Sequence, residues 1–127
     1  MTKHQLKKCP ESPNCVSTQT QQKNKKMDPI PFDLDPKEVK SVIKMVVENL
    51  PRTKLQSEST HYLHYIFKSK IFGFTDDVEF ALDPEHKLIH FRSASRSGYS
   101  DMGVNKERMT EIGKGVKQAL KNRTPSK

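Results

Sequence analysis

Residues 77–95, "DVEFALDPEHKLIHFRSAS", carry two apolar alternations around one turn. Val78, Phe80 and Leu82 occupy every second position before the turn, and Ile89 and Phe91 do so after it. Between them Asp83-Pro84-Glu85-His86-Lys87 supplies the Asp and Pro that a tight connection uses. An antiparallel hairpin follows. For both apolar sets to share one face, the turn length favours the register that sets Leu82 opposite Ile89, Phe80 opposite Phe91, Glu79 opposite Arg92 and Asp77 opposite Ala94. The face turned away from the apolar layer then carries an acidic row against a basic one, with Arg92 and Arg96 in diagonal reach of Asp77. Its plain meaning is a ladder of exposed ion pairs, each worth about 0.2–1 kcal/mol.

Upstream, "HYLHYIFKS" (61–69) is aromatic and β-branched and reads as a strand, while "RTKLQSES" (52–59) is a weaker, polar one. Before them stands the clearest helix start in the chain. Asp35 caps the free amides, Pro36 suits the first helical position and Glu38 completes a capping box. Val39, Val42, Ile43, Val46 and Leu50 follow as one apolar stripe, and Pro51 closes it. Downstream, a second helix runs from about Asn105 to Lys121, with Val104, Met109, Ile112, Val116 and Leu120 towards the core. Gly113 and Gly115 weaken its propensity by about 1 kcal/mol each and suit a close approach to the sheet. "DPIPFDL" (28–34) carries two prolines, which confines it to an extended arm or edge strand. The expected fold is therefore α+β: a two-layer sandwich of a four-stranded antiparallel sheet and two helices, in the order (β)-α-β-β-β-β-α, with residues 28–34 as a candidate fifth edge strand.

Residues 1–27 hold six lysines and one glutamate, against 17 basic and 14 acidic residues in the remaining hundred. Most of the net charge of +8 thus belongs to this segment, which reads as a flexible basic tail ahead of a single domain at 28–121, with a frayed end at 122–127. Charge placed that way is a general electrostatic handle, so nucleic acid is an unlikely partner. Within the tail, Cys9 and Cys15 enclose five residues. Free thiols are the leading expectation, with a disulfide or a weak metal pair as alternatives. No run approaches a membrane span and no apolar leader opens the chain, so the expected location is the cytoplasm.

The segment "RSASRSGYSDMGVNKER" (92–108) is far more polar than a strand-to-helix turn requires. Gly98 and Gly103 permit backbone shapes closed to other residues, and Asn105 suits a helix cap. The free amides there, with Arg96 and Arg108 beside them, suit an anion; the same arginines can instead be neutralised by Asp76, Asp77 and Asp101. Together with "CPESPNCVS" (9–17) and "FGFTDDVEF" (72–80), this block resembles the signature segments of the proteins grouped as domain of unknown function 1499, in order and over nearly the whole chain. The positions that the resemblance marks are Cys9, Pro10, Ser12, Pro13, Asn14 and Cys15; Asp76, Asp77 and Glu79; and Arg92, Ser93, Ser95, Arg96, Gly98, Tyr99, Asp101, Gly103, Asn105 and Arg108. It implies a motif set without an established activity.

No phosphate loop, dinucleotide fingerprint, metal-hydrolase motif or Gly-x-Ser-x-Gly elbow occurs, so no cofactor is expected. The reading is a non-catalytic binding or assembly module, with Arg92, Arg96, Arg108, Ser93, Ser95, Asp101 and Asn105 as candidate ligand-binding residues. Asp76, Asp77, Glu79, Gly98, Tyr99 and Gly103 support them. The partner would be an anionic small molecule or another protein. The alternative is a small enzyme acting on an anionic substrate, with Asp76, Asp77 or Glu79 as acid–base groups, and a second alternative is nucleic-acid binding through the basic tail.

Overall fold

The apolar alternation of the chain is realised as one sheet with both helices on one side of it. The computed structural model describes residues 5–10, 14–69, 73–96 and 103–123. Its elements are β1 (Cys15–Ser17), a single 3-10 turn (Lys23–Lys25), β2 (Ile30–Pro31), α1 (Pro36–Glu48), β3 (Thr53–Ser59), β4 (Tyr62–Lys68), β5 (Thr75–Asp83), β6 (Leu88–Ser95) and α2 (Val104–Arg123). The strands pair antiparallel in the order β1-β6-β5-β4-β3, and β2 joins the same edge of β6 further along. The architecture is the expected α+β one, but among the described residues the sheet has six strands: the expected four, β2 from the candidate edge segment 28–34, and β1, which was not expected.

The β5–β6 register is the one the alternation demands: Leu82 faces Ile89, Phe80 faces Phe91 and Glu79 faces Arg92. Leu63, Tyr65, Val78, Phe80, Leu82, Ile89 and Phe91 are all buried, and they meet Val39, Val42, Ile43 and Val47 of α1 and Met109, Ile112 and Val116 of α2. At α1 the Asp35 carboxylate accepts from the Lys37 amide at 2.9 Å, as a cap should. Glu38 turns instead to Arg123 Nη1 at 3.0 Å, tying the start of α1 to the end of α2. The buried stripe uses Val47, and Leu50 lies exposed beyond the helix end. Val104 is likewise exposed. A Cβ at Gly115 would come within 3.1 Å of Val46 Cγ1, so this glycine lets the helices approach each other rather than the sheet.

The N-terminal segment departs most from expectation. Cys15, Val16 and Ser17 pair with Ala94, Ser93 and Arg92, and all three are buried. Cys9 and Cys15 form a disulfide with Cα atoms 5.7 Å apart, against the expectation of free thiols or a metal pair. Bonds of this kind persist in oxidising surroundings. Lys25, one of the charges that suggested a solvated tail, is buried, with Nζ on the Pro10 carbonyl at 2.7 Å and Gln22 Oε1 at 2.6 Å. Gln22 also donates to the Cys9 carbonyl at 3.2 Å, and the Leu6 amide donates to Gln19 Oε1 at 2.8 Å. These residues therefore form a strap along the β6 edge, held by backbone and amide bonds that composition does not register. At the other end α2 continues to Arg123, two residues past the expected limit.

Candidate functional site

Side chains alternate across a strand, and that alternation divides the polar motif between opposite faces of the sheet. Asp76, Ser93 and Ser95 point to the helix side; Asp77, Glu79 and Arg92 point away from it.

On the inner side the motif closes the end of the hydrophobic layer. Helix α2 begins at Val104, two residues earlier than a cap at Asn105 would place its start, and Gly103 just before it holds φ at 81°. Asn105 consequently lies in the first turn, fully buried against the sheet. Its Oδ1 accepts from Ser93 Oγ at 2.6 Å and from Arg108 Nη1 at 2.8 Å. Its Nδ2 donates to Ser95 Oγ at 3.1 Å and to the Asn14 carbonyl at 3.1 Å. Both acceptor sites and both donors of the amide are thus engaged. Arg108, one turn on, donates through Nη2 to Asp76 Oδ2 at 2.7 Å, and through Nη1 also to Ser93 Oγ at 3.2 Å. Its guanidinium carbon stands 4.8 Å from the centre of the Phe67 ring, a cation–π distance. One cluster thereby joins β5, β6, α2 and the Cys9–Cys15 loop.

On the outer side two linked groups cross β4, β5 and β6. The Tyr62 hydroxyl donates to Glu79, and Arg92 Nη1 lies 3.3 Å from Glu79 Oε1. Burial and then the Glu79 carboxylate push the Tyr62 hydroxyl well above its ordinary range, so it stays a donor. Glu79 and Arg92 are not an exposed ladder, because the strap lies over them: Arg92 Nη2 reaches the Lys8 carbonyl at 3.4 Å, and both residues are buried. Arg92 Nε is buried with no hydrogen-bond partner among the described residues.

Beside them Asp77 takes a two-pronged grip from Arg96, with Nε on Oδ2 at 2.9 Å and Nη2 on Oδ1 at 3.0 Å. His64 Nε2 meets Asp77 Oδ1 at 2.8 Å. The Arg96 guanidinium, and after it His64, holds the Asp77 carboxyl below the usual carboxylate range, and Asp77 raises Arg96 in return. His64 and Asp77 are half-buried, and Arg96 is the more exposed partner.

Of the candidate residues, the structure brings Asp76, Ser93, Ser95, Asn105 and Arg108 into one cluster, and Asp77, Glu79, Arg92 and Arg96 onto the opposite face. Gly98, Tyr99 and Asp101 lie outside the described residues. His64, Tyr62 and the Lys8 carbonyl stand outside the candidate set, and Asn14 is marked only by the resemblance, without a role. The signal for the first two was present: in the observed β4–β5 register His64 faces Glu79, which brings Asp77 within diagonal reach. Cys9 and Cys15 are spent on each other and offer no thiolate to a metal. Among the described residues no group of three or more His, Cys, Asp or Glu is placed to hold a metal ion.

No helix among the described residues is long and apolar enough to cross a membrane. Among curated proteins none matches the chain. Residues 5–115 match the family described as "Protein of unknown function (DUF1499)", a span that includes the Cys9–Cys15 loop, both polar clusters and most of α2. The chain belongs to that family.

Proposed function

We propose that the protein is a non-catalytic binding or assembly module that recognises an anionic group on the outer face of its sheet, with Arg96 as the principal contact and His64 beside it. One observation carries this reading. The inner half of the motif is buried with its polar atoms satisfied by one another, which is how a structural clamp is built. The outer His64–Asp77–Arg96 group keeps a guanidinium edge in solvent. Arginine offers five N–H donors in a fixed fork, and Asp77 uses only two of the groups that carry them. An incoming carboxylate or phosphate finds the rest already oriented. The Cys9–Cys15 disulfide favours work in an oxidising compartment over the expected cytoplasm.

Melting the protein against phosphate, sulfate, small carboxylates and nucleotides tests the reading. Wild type should gain stability with at least one class, and Arg96→Ala should fold and lose that gain. A wild type indifferent to the whole panel sinks the small-anion version and leaves a protein partner to be sought.

A second reading, a small enzyme acting on an anionic substrate, draws on the His64–Asp77 bond. A carboxylate that orients an imidazole is an arrangement used in general-base catalysis, and His64 Nδ1 takes no partner among the described residues. Turnover of an activated ester or phosphoester that disappears in His64→Ala would favour it.

A further inference from the structure

One end of the sheet combines apolar exposure with unmatched positive charge. Backbone bonds gather four strand termini there: the Lys68 amide donates to the Arg52 carbonyl at 3.0 Å, Ser69 to Phe74 at 2.9 Å and Arg96 to Thr75 at 3.0 Å. Phe74 stands 54% exposed at this end, and Leu50, just before Arg52, is 37% exposed. A hairpin connection ordinarily uses Gly, Asn, Asp or Pro. The connection here reads "SKIFGF" (69–74), three large apolar residues with a single glycine, Gly73, which takes φ at 66°. An aromatic side chain as exposed as Phe74 weakens solubility.

Several cations elsewhere on the surface are paired with carboxylates. Lys40 and Lys44 meet Glu58, Lys87 meets Asp33 and Arg123 meets Glu38. Arg52 instead donates to the Lys68 carbonyl, Lys68 Nζ to Thr75 Oγ1 at 2.8 Å, and neither they nor Lys54 meets a carboxylate among the described residues. Adjacent strands are about 5 Å apart, so Phe74 protrudes within roughly 10 Å of the Arg52 and Lys68 backbones.

We propose that this end docks on an anionic lipid surface, with Phe74 entering the interface, Leu50 beside it, and Arg52, Lys54 and Lys68 meeting lipid phosphates. An apolar tip rimmed by long basic side chains is the chemistry by which a protein without a spanning helix holds a bilayer: the aromatic ring partitions at headgroup depth, and the cations are drawn to the negative surface potential. The charge of this end selects an anionic bilayer over an uncharged one. The inference does not rest on the role proposed for Arg96.

The test is sedimentation of the full chain with vesicles of phosphatidylglycerol and phosphatidylcholine in equal parts, against phosphatidylcholine alone. Wild type should bind the mixed vesicles, and both Phe74→Ser and the double variant Arg52→Glu, Lys68→Glu should bind about tenfold more weakly or worse. All three positions are exposed, so each variant should melt like wild type. The natural chain has no tryptophan, so Phe74→Trp gives a single fluorophore whose emission should shift to the blue with mixed vesicles only. Three outcomes overturn the proposal. One is no vesicle binding, which leaves an acidic protein partner as the occupant of this end. Another is binding undiminished in the variants, which traces attraction to the N-terminal lysines. The last is a Phe74→Trp spectrum that ignores bound lipid.

Discussion

On the inner face of the sheet Asp76 meets Arg108 with side chains 9% and 14% exposed; on the outer face its neighbour Asp77 meets Arg96 at 22% and 52%. Both are carboxylate–guanidinium pairs with contacts below 3 Å. What separates them is water. The inner pair has given up its hydration, so each member depends on the other and on Ser93 and Asn105. The outer pair remains solvated and loses little if opened. Identical chemistry thus becomes architecture on one side of a strand and leaves a group free to change partners on the other.

That contrast breaks most readily at Arg108. Arg108→Ala would strand the Asp76 carboxylate in a dry site, and the expected loss is about 3–5 kcal/mol in chemical denaturation. A loss no greater than that of Arg96→Ala would show that the inner cluster is not a clamp. Asn105→Ala should cost somewhat less, about 3 kcal/mol, because it leaves Ser93, Arg108 and the Asn14 carbonyl short of partners without removing a charge. Amide exchange should then quicken around residues 14–17 before it does in β4.

Opening the Cys9–Cys15 loop comes next, at about 2 kcal/mol for so short a ring. The double variant Cys9→Ala, Cys15→Ala should fold and expose Arg92, read as faster exchange over residues 5–10. Equal protection in both proteins would mean that the strap is held by Lys25 and Gln22 alone.

Arg96→Ala is the mildest, and its signature is pH dependence rather than size. The folded state lowers the Asp77 pKa, so the stabilisation is fully present above the ordinary carboxylate value of about 4 and is lost as pH falls through the lower folded value. The gap between wild type and Arg96→Ala should therefore narrow as the solution is acidified. A gap that widens in acid would contradict the assigned pairing.

The hairpin, the cap of α1 and both buried helix stripes were legible because each depends on residues close in sequence. Period-two alternation around a short turn leaves one register that buries Phe80 and Phe91 together. β1 was not legible. It has one apolar residue directed at the core, Val16, and its stability comes from main-chain pairing with β6 far downstream. The same distance hid the burial of Arg92, since an arginine on a polar sheet face looks exposed until Lys8 is laid over it. At the candidate site the motif residues were identifiable but not their grouping. The polar stretch read as one cluster, although the alternation that revealed the hairpin also turns Asp76 inward and Asp77 outward. Asn105 misled because an asparagine two places past a glycine suits a cap; a helix that starts two residues sooner turns the same side chain into the core.

The bond from Asn105 to the Asn14 carbonyl joins positions 91 residues apart. A ribosome releases Asn14 many seconds before Asn105 at roughly 5–20 residues per second. For most of that interval the strap has no β6 to pair with, and for all of it no α2 to hold its carbonyl, although Cys9 and Cys15, six apart, can already meet. Residues 14–17 are thus made well before the partners that seat them, and a nascent chain halted before β6 and α2 are complete would leave that edge of the sheet open to whatever strand it encountered.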